Sequence, residues 1–480
     1  MARVTGIAPR EEDAVRHPIA SVVAPLARMV VPHGSRHARV AHPCKRFGAR
    51  AVASLVAGLC LYTLTGSSVA QDGDAVRVMT VDAFLETLAV NTHVNYMDGA
   101  YANVRNVADD LAWLGIRQVR DAPPGSGAAP FASYVYLAQH GIKFSFMMHL
   151  NIAESLERVL RLDAEVPGSV AAIEGLNEID HWPVSYGGLK GNDAGLAAQR
   201  EIYTRVHDTP QLAGVPVYDL TGYDLKPVDT RANAADYTNG HVYPQNGEQP
   251  MHNANGDTWM GSNIRVFRKY PLPMVITEFG YFSMPQSGWN MLGVDEPGQA
   301  KGVLNGYMDA AAAGVKRTYV YELLDQKPDA QNQNAEMHFG LFRIDNSPKP
   351  VASAIRNLTS ILKDDTKRGA YDAAGGALAY TLSGMPPLAN SLLLQKKDGR
   401  FVLVLWNETQ IWNRATGKPV VNPPVSVGLD LGASAGRVSV YDPLVSDAPR
   451  ESHRNVRRLD VSVPDHPVLI EVTLAHPEPA

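Results

Sequence analysis

The chain has 480 residues, of which 45% are hydrophobic and 19% charged, and its formal net charge is −5. Residues 71–480 hold 35 Lys and Arg against 46 Asp and Glu, so this part of the chain is acidic. Nucleic acids and anionic membrane surfaces repel such a chain, which argues against either as a partner. The composition favours a globular protein that binds a neutral or weakly charged ligand.

Residues 1–70 have the composition of a leader and signal peptide. A basic stretch at 45–50 precedes an apolar run at 51–64, and small residues then offer a cleavage site. The run is shorter than the roughly 20 residues that span a membrane, although an uncleaved anchor is the alternative. Cys44 and Cys60 both lie in this leader, so the exported chain would have no disulfide. We expect a periplasmic or extracellular monomer with no stable membrane association after cleavage.

Residues 71–363 contain apolar strand-like runs that alternate with helical patterns. This rhythm predicts an α/β fold, a (β/α)8 TIM barrel. No Gly-rich phosphate turn follows an early strand, which argues against an open doubly wound sheet. The predicted strands are 88–95, 116–122, 142–150, 170–177, 215–221, 237–243, 274–279 and 317–323, and the helices 100–114, 153–162, 195–207, 258–268, 298–313 and 351–362.

Residues 364–480 have a different pattern, with short alternating or apolar segments separated by Gly, Pro, Asn and Asp. This pattern predicts a small C-terminal antiparallel β-sandwich. Such a domain could bind carbohydrate or serve as a structural companion of the barrel. The predicted strands are 377–382, 391–395, 401–406, 425–429, 437–441, 458–463 and 468–474.

Two buried strands of the predicted barrel end near a glutamate, Glu178 on the fourth strand and Glu278 on the seventh. Burying a carboxylate is costly unless it is paired or hydrogen-bonded. Catalytic groups of such barrels lie at the C-terminal ends of the strands. The two glutamates are therefore candidates for a catalytic pair, with structural caps or ion pairs as the alternative.

The motifs Gly175-Leu-Asn-Glu178 and Thr277-Glu-Phe-Gly280 resemble those of clan A glycoside hydrolases, in particular proteins of the family 39 type. The resemblance implies a retaining enzyme in which Glu178 is the acid/base and Glu278 the nucleophile. Retention needs two carboxyl groups about 5–5.5 Å apart, one protonated and one ionised. The resemblance implies no cofactor.

Four further residues match positions of the same clan. Arg120 would hold the nucleophile, and Asn177 would bind the sugar 2-hydroxyl. His241 and Tyr243 match a His-x-Tyr pattern at the sugar site, although a buried structural histidine is an equal reading of His241. Arg120 and the Tyr243 hydroxyl would keep Glu278 ionised, because opposite charge and donated hydrogen bonds lower a carboxyl pKa.

Aromatic and polar residues after the predicted strands are further candidates for substrate contacts. Many clan members carry a tryptophan at the end of strand eight, where this chain has Tyr321, so the identity of the sugar stays open. Sugar faces pack on aromatic rings, and several rings would line an extended cleft. The candidates are Trp182, Tyr321, Glu322 and His149, with Tyr223, Tyr281, Phe282 and Trp289 among the loop aromatics and residues 91–95 on the floor.

The histidines lack the spacing of metal ligands, so no metal site is predicted. Taken together, the sequence predicts a secreted retaining glycoside hydrolase that cleaves β-linked polysaccharide, with endo-action favoured by the aromatic cleft. The alternatives are an exo-β-glycosidase acting on oligosaccharides and a non-catalytic glycan-binding barrel.

Overall fold

The structure is a computed structural model that describes residues 78–222, 233–252, 259–268, 270–286, 293–364 and 378–475. The described residues belong to one structural unit, Ser68–Ala480. The predicted leader, Tyr223 and Trp289 lie outside the described residues. Within the described part of the chain, no helix has the length and apolar character needed to cross a bilayer.

Eight parallel strands form a nearly closed barrel, which confirms the predicted fold class. The strands neighbour one another in the order β5-β4-β3-β2-β1-β8-β7-β6 once they are numbered along the chain, and a bridge from Tyr218 to Tyr237 links the two ends. Most are shorter than predicted, because the apolar runs continue beyond the hydrogen-bonded ladder into the loops. The strands are β1 Leu88–Asn91, β2 Gln118–Asp121, β3 Lys143–Met147, β4 Val170–Glu174, β5 Val217–Tyr218, β6 Thr238–Val242, β7 Met274–Phe279 and β8 Thr318–Val320.

Helices follow the strands and cover the barrel with their apolar faces. In α4, for example, Ile152, Leu156 and Val159 are buried at the spacing of one helix face. The α-helices are α1 Val81–Leu85, α2 Val104–Leu114, α3 Ala128–Gln139, α4 Ile152–Glu165, α5 Gly191–His207, α6 Trp259–Phe267, α7 Glu296–Ala312 and α8 Pro350–Leu362. Short 3-10 helices lie at Ala100–Ala102, Pro210–Leu212, Gln245–Gly247 and Ala335–His338.

The C-terminal region forms a second, mostly antiparallel sheet. Its strands are β9 Thr381–Ser383, β10 Ala389–Gln395, β11 Phe401–Asn407, β12 Val425–Tyr441, β13 Pro449–Val463 and β14 Val468–Leu474. The short strand Met79–Thr80, from the other end of the described chain, pairs in parallel with β10. Two small ribbons of two-residue strands complete the described strand set, one formed by Ser185–Tyr186 and Leu189–Lys190 and the other by Trp412–Asn413 and Lys418–Pro419.

The C-terminal sheet packs over its own apolar core, as a β-sandwich does. Phe401, Leu403 and Leu405 of β11 share this core with Val427 of β12 and Val461 of β13. One prediction here is wrong: the segments 425–429 and 437–441 are not two strands but parts of the single strand β12. A register shift between Asp430 and Ala435 carries the strand through the stretch that looked like a turn.

The inside of the barrel changes from apolar to polar along the strand direction. Ala89, Ala172, Val275 and Tyr319 share one buried cluster. Two residues further along their strands, Asn91, Glu174 and Thr277 carry the polar groups that meet at the C-terminal mouth. Since alternate strand residues face the same side, the spacing of two places a polar layer directly above an apolar one.

Candidate active site

Arg120, on β2, is the centre of the polar layer at the barrel mouth. It is 4% exposed and donates from Nε and Nη2 to the two oxygens of Glu174, at 2.6 and 2.9 Å. Its Nη1 donates to Glu278 Oε1 at 2.6 Å and to Asn91 Oδ1 at 3.1 Å, and Nη2 donates to Asn177 Oδ1 at 2.8 Å. One guanidinium therefore joins strands β1, β4 and β7 and the loop after β4.

A bulge in β7 places two consecutive residues in this network. The register with β6 shifts between Ile276 and Glu278, so Thr277 is the extra residue. The Thr277 hydroxyl lies 3.1 Å from Glu174 Oε1 and 2.9 Å from Asn239 Oδ1, while Glu278 bonds Arg120. Adjacent strand residues normally face opposite sides of a sheet, and a bulge can re-aim one of them.

Glu278 is held in its ionised form by its surroundings. Tyr243, in the segment after β6, donates its hydroxyl to Glu278 Oε2 at 2.5 Å. Burial raises the pKa of the Glu278 carboxyl, but the charges of His241 and Arg120 and the hydrogen bonds from Tyr243 and Arg120 outweigh it. The pKa of Glu278 therefore lies below its usual value. A buried carboxylate with a depressed pKa is suited to act as a nucleophile.

Glu178 lies in the loop after β4, four residues beyond the last hydrogen-bonded strand residue. Its backbone is left-handed, with φ of 41°, and its N–H donates to Thr221 Oγ1 at 3.1 Å. Its carbonyl accepts from the N–H groups of His181 and Trp182, at 2.9 and 2.8 Å. Such a conformation is costly for a residue with a side chain and persists where the surroundings hold it. The loop thus directs the Glu178 side chain back towards the barrel axis.

His241 links the two glutamates. Its Nδ1 lies 2.8 Å from Glu178 Oε1 and 3.5 Å from Glu278 Oε2, and its Nε2 lies 3.1 Å from Thr277 Oγ1. Burial lowers the pKa of His241, but the charge of Glu278 and the hydrogen bond to Glu178 raise it above its usual value. The imidazole is therefore biased towards its charged form between two acids.

The hydrogen-bond network also assigns the protons of His241. The Thr277 hydroxyl has one proton, and its other neighbours, Glu174 Oε1 and Asn239 Oδ1, are acceptors. The hydroxyl therefore donates to one of them and accepts a proton from His241 Nε2. The remaining bond, between His241 Nδ1 and Glu178 Oε1, then holds one proton, on the imidazole or on the carboxyl group. A proton that can be transferred therefore lies in the hydrogen bond beside Glu178.

One carboxyl oxygen from each of Glu178 and Glu278 and one ring nitrogen of His241 lie within 4.8 Å of one another. These three groups could ligate a cation, and the hydrogen bonds of His241 account for their closeness without one. The nearest oxygens of the two carboxyl groups are thus closer than the separation of about 6.5–9.5 Å that is typical of inverting pairs. The geometry therefore supports attack on a sugar by one acid while the other donates a proton.

The end of β8 adds a second group of acids beside the pair. Tyr321 donates its hydroxyl to Glu336 Oε1 at 2.6 Å, and its ring packs against Tyr243 with centroids 6.3 Å apart. Burial, together with the charges of Glu278 and Glu178, raises the pKa of Glu336 to about 7, against the hydrogen bond from Tyr321. The protonation of Glu336 is therefore coupled to the charges of Glu278 and Glu178. The 3-10 helix Ala335–His338, which carries it, is partly exposed at the mouth.

Glu322 has a different environment from the one expected of a substrate contact. It is 0% exposed, and its two oxygens accept from Tyr101, at 2.9 Å, and from Gln326, at 2.8 Å. Burial and the charge of Glu336 raise its pKa well above the usual value. Glu322 therefore lies inside the wall of the mouth, where its role as a substrate contact stays a prediction, and Glu336 holds the position nearer to solvent.

The remaining predicted contacts differ in how they are placed. Trp182 is 51% exposed and edge-on to His181, in the loop that carries Glu178. His149 is exposed, two residues after β3. Tyr281 and Phe282, expected among the cleft aromatics, are 3% and 4% exposed and pack inside the protein. Tyr96, which was not predicted, is 43% exposed and stacks on His93 with centroids 4.7 Å apart.

No protein-family model matches the chain, and no curated protein sequence matches it. Among solved structures, the chain is similar to a monomeric β-xylosidase from Caulobacter crescentus CB15. The identity is 12%, the match covers 84% of this chain and 98% of that chain, and the TM-score is 0.51. A GH39 enzyme from Xanthomonas axonopodis pv. citri matches at 13% identity over 84% and 96% of the two chains, with a TM-score of 0.49. The xylosidase shows that the whole fold, barrel and C-terminal sheet together, exists in a solved protein.

Proposed function

We propose that this chain is an exported retaining glycoside hydrolase that cleaves β-glycosidic bonds in a polysaccharide. The observation that carries the proposal is the closeness of Glu178 and Glu278 at the mouth of the barrel, with Glu278 ionised by Arg120 and Tyr243. The motif resemblance supports the same chemistry. The likeness at 12% identity supports the architecture alone.

In the first step, a Glu278 oxygen attacks the anomeric carbon and the bond to the leaving oxygen breaks. The proton held between Glu178 and His241 passes through Glu178 to that oxygen, so the leaving sugar departs as a neutral alcohol. Arg120 and Tyr243 stabilise the Glu278 carboxylate before attack. Their hydrogen bonds to it weaken as the carboxylate loses its negative charge in forming the ester. The product of this step is a glycosyl ester of Glu278.

In the second step, water attacks the anomeric carbon from the face that the leaving group vacated. Glu178, now without its proton, takes a proton from the water, and the ester bond to Glu278 breaks. The released sugar has the configuration of the substrate. Asn177 uses its oxygen to bind Arg120, so its amide N–H₂ group is the part that would donate to the sugar 2-hydroxyl.

The exposed rings near the mouth favour a polymer as the substrate. Trp182 and Tyr96 are both exposed in loops that leave the C-terminal ends of strands, where apolar sugar faces can stack on them. One observation favours exo-action instead. The ribbon of Ser185–Tyr186 and Leu189–Lys190 belongs to the same loop as Glu178 and could close one end of the substrate cleft. Endo-action on β-linked polysaccharide is the proposal, and product sizes decide between the two.

Export of the chain is part of the proposal and depends on residues 1–70, which lie outside the described residues. The basic stretch, apolar run and small residues of a signal peptide support it. Mass spectrometry of the protein purified from the cell envelope and medium of its host would locate the mature N-terminus. A mature chain that begins near residue 71 supports export, whereas an intact leader on cytosolic protein contradicts it.

The nucleophile is tested by comparing the parent with Glu278→Gln on aryl β-glycosides and β-linked polysaccharides. We expect kcat/KM to fall by about 10³-fold or more, because no carboxylate remains to form the ester. Proton NMR of the first-released sugar should show the β anomer. The matched control is Glu157→Gln, an exposed glutamate on α4, which should leave kcat/KM unchanged.

Glu278→Gly with added azide gives an independent test of the mechanism. Azide can occupy the place of the missing carboxylate, and we expect it to restore turnover and yield an α-glycosyl azide. Release of the α anomer by the parent would contradict retention, and full activity of Glu278→Gln would remove the assigned nucleophile. Binding of glycans without turnover by the parent would leave the glycan-binding barrel as the function.

A further inference from the structure

The C-terminal sheet reaches the segment that carries Tyr243. We call residues 243–252, which follow β6, the β6 segment, and residues 408–412, which follow β11, the β11 loop. The first belongs to the barrel mouth and the second to the C-terminal sheet. The two are far apart in the sequence but share several buried contacts.

Glu408 makes the principal contact of the β11 loop. It is 1% exposed, and its Oε1 accepts from the Met251 N–H at 3.0 Å, while its Oε2 pairs with His252 Nδ1. Gln249, also 1% exposed, donates to the Thr409 carbonyl at 2.8 Å. Since buried donors and acceptors are costly to leave unpaired, these bonds restrict where the β6 segment can lie.

Packing at Gly247 restricts the segment further. Gly247 has φ of 71°, a conformation that favours glycine, and a Cβ atom there would lie 2.4 Å from the Cβ of Trp412. Trp412 is 2% exposed, so its side chain packs directly on the backbone of the β6 segment. The β11 loop therefore contacts the segment along its length, from Gly247 to His252.

The other side of the β6 segment contacts the catalytic strand. The Tyr281 hydroxyl, three residues after Glu278, donates to the Glu248 carbonyl at 2.7 Å. Tyr243, at the start of the segment, donates to Glu278 at 2.5 Å. The segment thus lies between the C-terminal sheet and the end of β7, bonded to both.

We propose that Glu408 of the C-terminal sheet is a positioning residue for the nucleophile, acting through the β6 segment to hold the Tyr243 hydroxyl on Glu278. Glu408 touches neither substrate nor reacting atoms. Its effect on turnover rests on the proposed function, but its effect on the ionisation of Glu278 does not. On this proposal the C-terminal sheet is part of the catalytic unit rather than a detachable companion.

Glu408 has a second acid as a buried neighbour. Asp309 of α7 lies beside it and accepts from Trp406 Nε1 at 2.9 Å. Burial, and after it the charge of Glu408, raises the pKa of Asp309 well above its usual value, which favours the neutral form of Asp309. Glu408 directs its own two oxygens to His252 and to the Met251 N–H, both in the β6 segment.

The test measures the pKa of Glu278 in the full chain by NMR of ¹³C-labelled glutamate carboxyls, with Glu278→Gln to assign the signal. We expect Glu408→Ala to raise the pKa of Glu278 by about one unit, a tenfold effect, because the Tyr243 hydroxyl is no longer held. Glu408→Gln, whose side-chain oxygen can still accept from the Met251 N–H, should recover most of the shift. In turnover measured at pH values below the pKa of Glu278 in the parent, kcat should fall about tenfold with KM little changed.

Lys301→Met is the matched control, because Lys301 of α7 joins the barrel to Asp465 of the C-terminal sheet at 2.8 Å without touching the β6 segment. It should leave the pKa of Glu278 and kcat unchanged. If Glu408→Ala does not fold, Gln249→Leu removes the bond to Thr409 and is measured in the same way. A folded variant with an unaltered Glu278 pKa would overturn the proposal. A parent that turns over no glycoside would count against the hydrolase alone, since the NMR titration still decides the role of Glu408.

Discussion

The guanidinium of Arg120 uses all five of its N–H groups within the protein. Two bonds go to Glu174, and one each to Glu278, Asn91 and Asn177. No donor remains for a substrate, so Arg120 acts on the reaction through Glu278.

Arg120→Lys tests this electrostatic role. Lysine keeps the positive charge but has three donors on one atom, so it cannot reproduce the planar set of bonds. We expect the pKa of Glu278 to rise because its ionised form is stabilised less. The acidic limb of the pH profile of kcat/KM should therefore move to higher pH. At pH values below the pKa of Glu278 in the parent, kcat/KM should fall roughly 10- to 100-fold, in line with a rise of about one to two pKa units.

Arg158→Lys provides the control for this substitution. Arg158 pairs with Glu154 one turn away on the exposed side of α4, and exchange of such surface pairs has little effect. An Arg120→Lys enzyme whose acidic limb is unmoved would show that the arginine does not set the ionisation of Glu278. Pre-steady-state measurement of the first step would then locate any remaining loss.

The sequence indicated those site residues that stand where an apolar run ends. Glu178, Glu278, Arg120 and Tyr243 are visible in this way because a polar group after a buried strand is conspicuous. Glu174 was missed, although it is a charged residue inside a buried strand, two positions after Ala172 on the same face. The position of Thr277 depends on the β7 bulge, and that of Glu336 depends on the path of the loop after β8. No local sequence pattern predicts either feature.

At the scale of elements, β4 and its loop show how backbone packing positions an acid. Gly175 follows β4, and a Cβ atom there would lie 1.9 Å from Gln199 Oε1 and 2.7 Å from the Leu220 nitrogen. The chain after β5 therefore presses on the start of the Glu178 loop. The same region holds the loop through the bond from the Thr221 N–H to the Leu176 carbonyl, at 3.0 Å.

We predict that Gly175→Ala displaces this loop. It should lower the free energy of unfolding by about 1–3 kcal/mol, the usual cost of overpacking, and should lower kcat as Glu178 moves. Urea unfolding and steady-state kinetics measure the two effects. Gly436→Ala in β12 is the control, since a Cβ atom there meets only ordinary contacts of 3.4 Å or more, and its unfolding free energy should stay within about 0.5 kcal/mol. Equal stability of the two variants would contradict the prediction.

Predictions of elements were most accurate where the residue pattern alone determines the structure. The bounds of β7 and β14 were predicted to the residue, because β7 is buried throughout and β14 is buried over its first five residues. The prediction failed at β12, where Gly432 and Gly436 resemble a turn. Pairing with β13 and β14 on its two sides holds that strand extended, and this is a tertiary effect that local sequence does not express.

At the scale of the whole molecule, a buried ion pair joins the barrel to the C-terminal sheet. Asp465 accepts from Lys301 of α7 at 2.8 Å and also contacts His466 and Asn422. Burial raises the pKa of Asp465, but these hydrogen bonds and the charge of Lys301 lower it to about 2. Because the folded-state value lies below that of an unfolded aspartate, the pair stabilises the fold at neutral pH and loses this effect in acid.

Asp465→Asn should therefore be less stable than the parent by about 2.5 kcal/mol at pH 6, which is the free energy of a pKa shift from 3.8 to about 2. Between pH 6 and pH 3 the difference should narrow by about 1 kcal/mol, because Asp465 of the unfolded parent binds a proton in this range. Urea unfolding across this range measures it. Asp460→Asn, at an exposed position of β13, is the control and should show no such pH dependence. A difference that stays constant with pH would contradict the shifted ionisation.

The pairing of Met79–Thr80 with β10 limits the order in which parts of this chain can fold. During synthesis, roughly 310 residues must leave the ribosome after Thr80 before its partner strand exists. The barrel strands can pair with one another in the meantime, but the strand at their beginning has to wait for the last quarter of the chain. Such a long-range pairing is slow to form, so the N-terminal strand can join the sheet only after the chain has been made beyond Gln395.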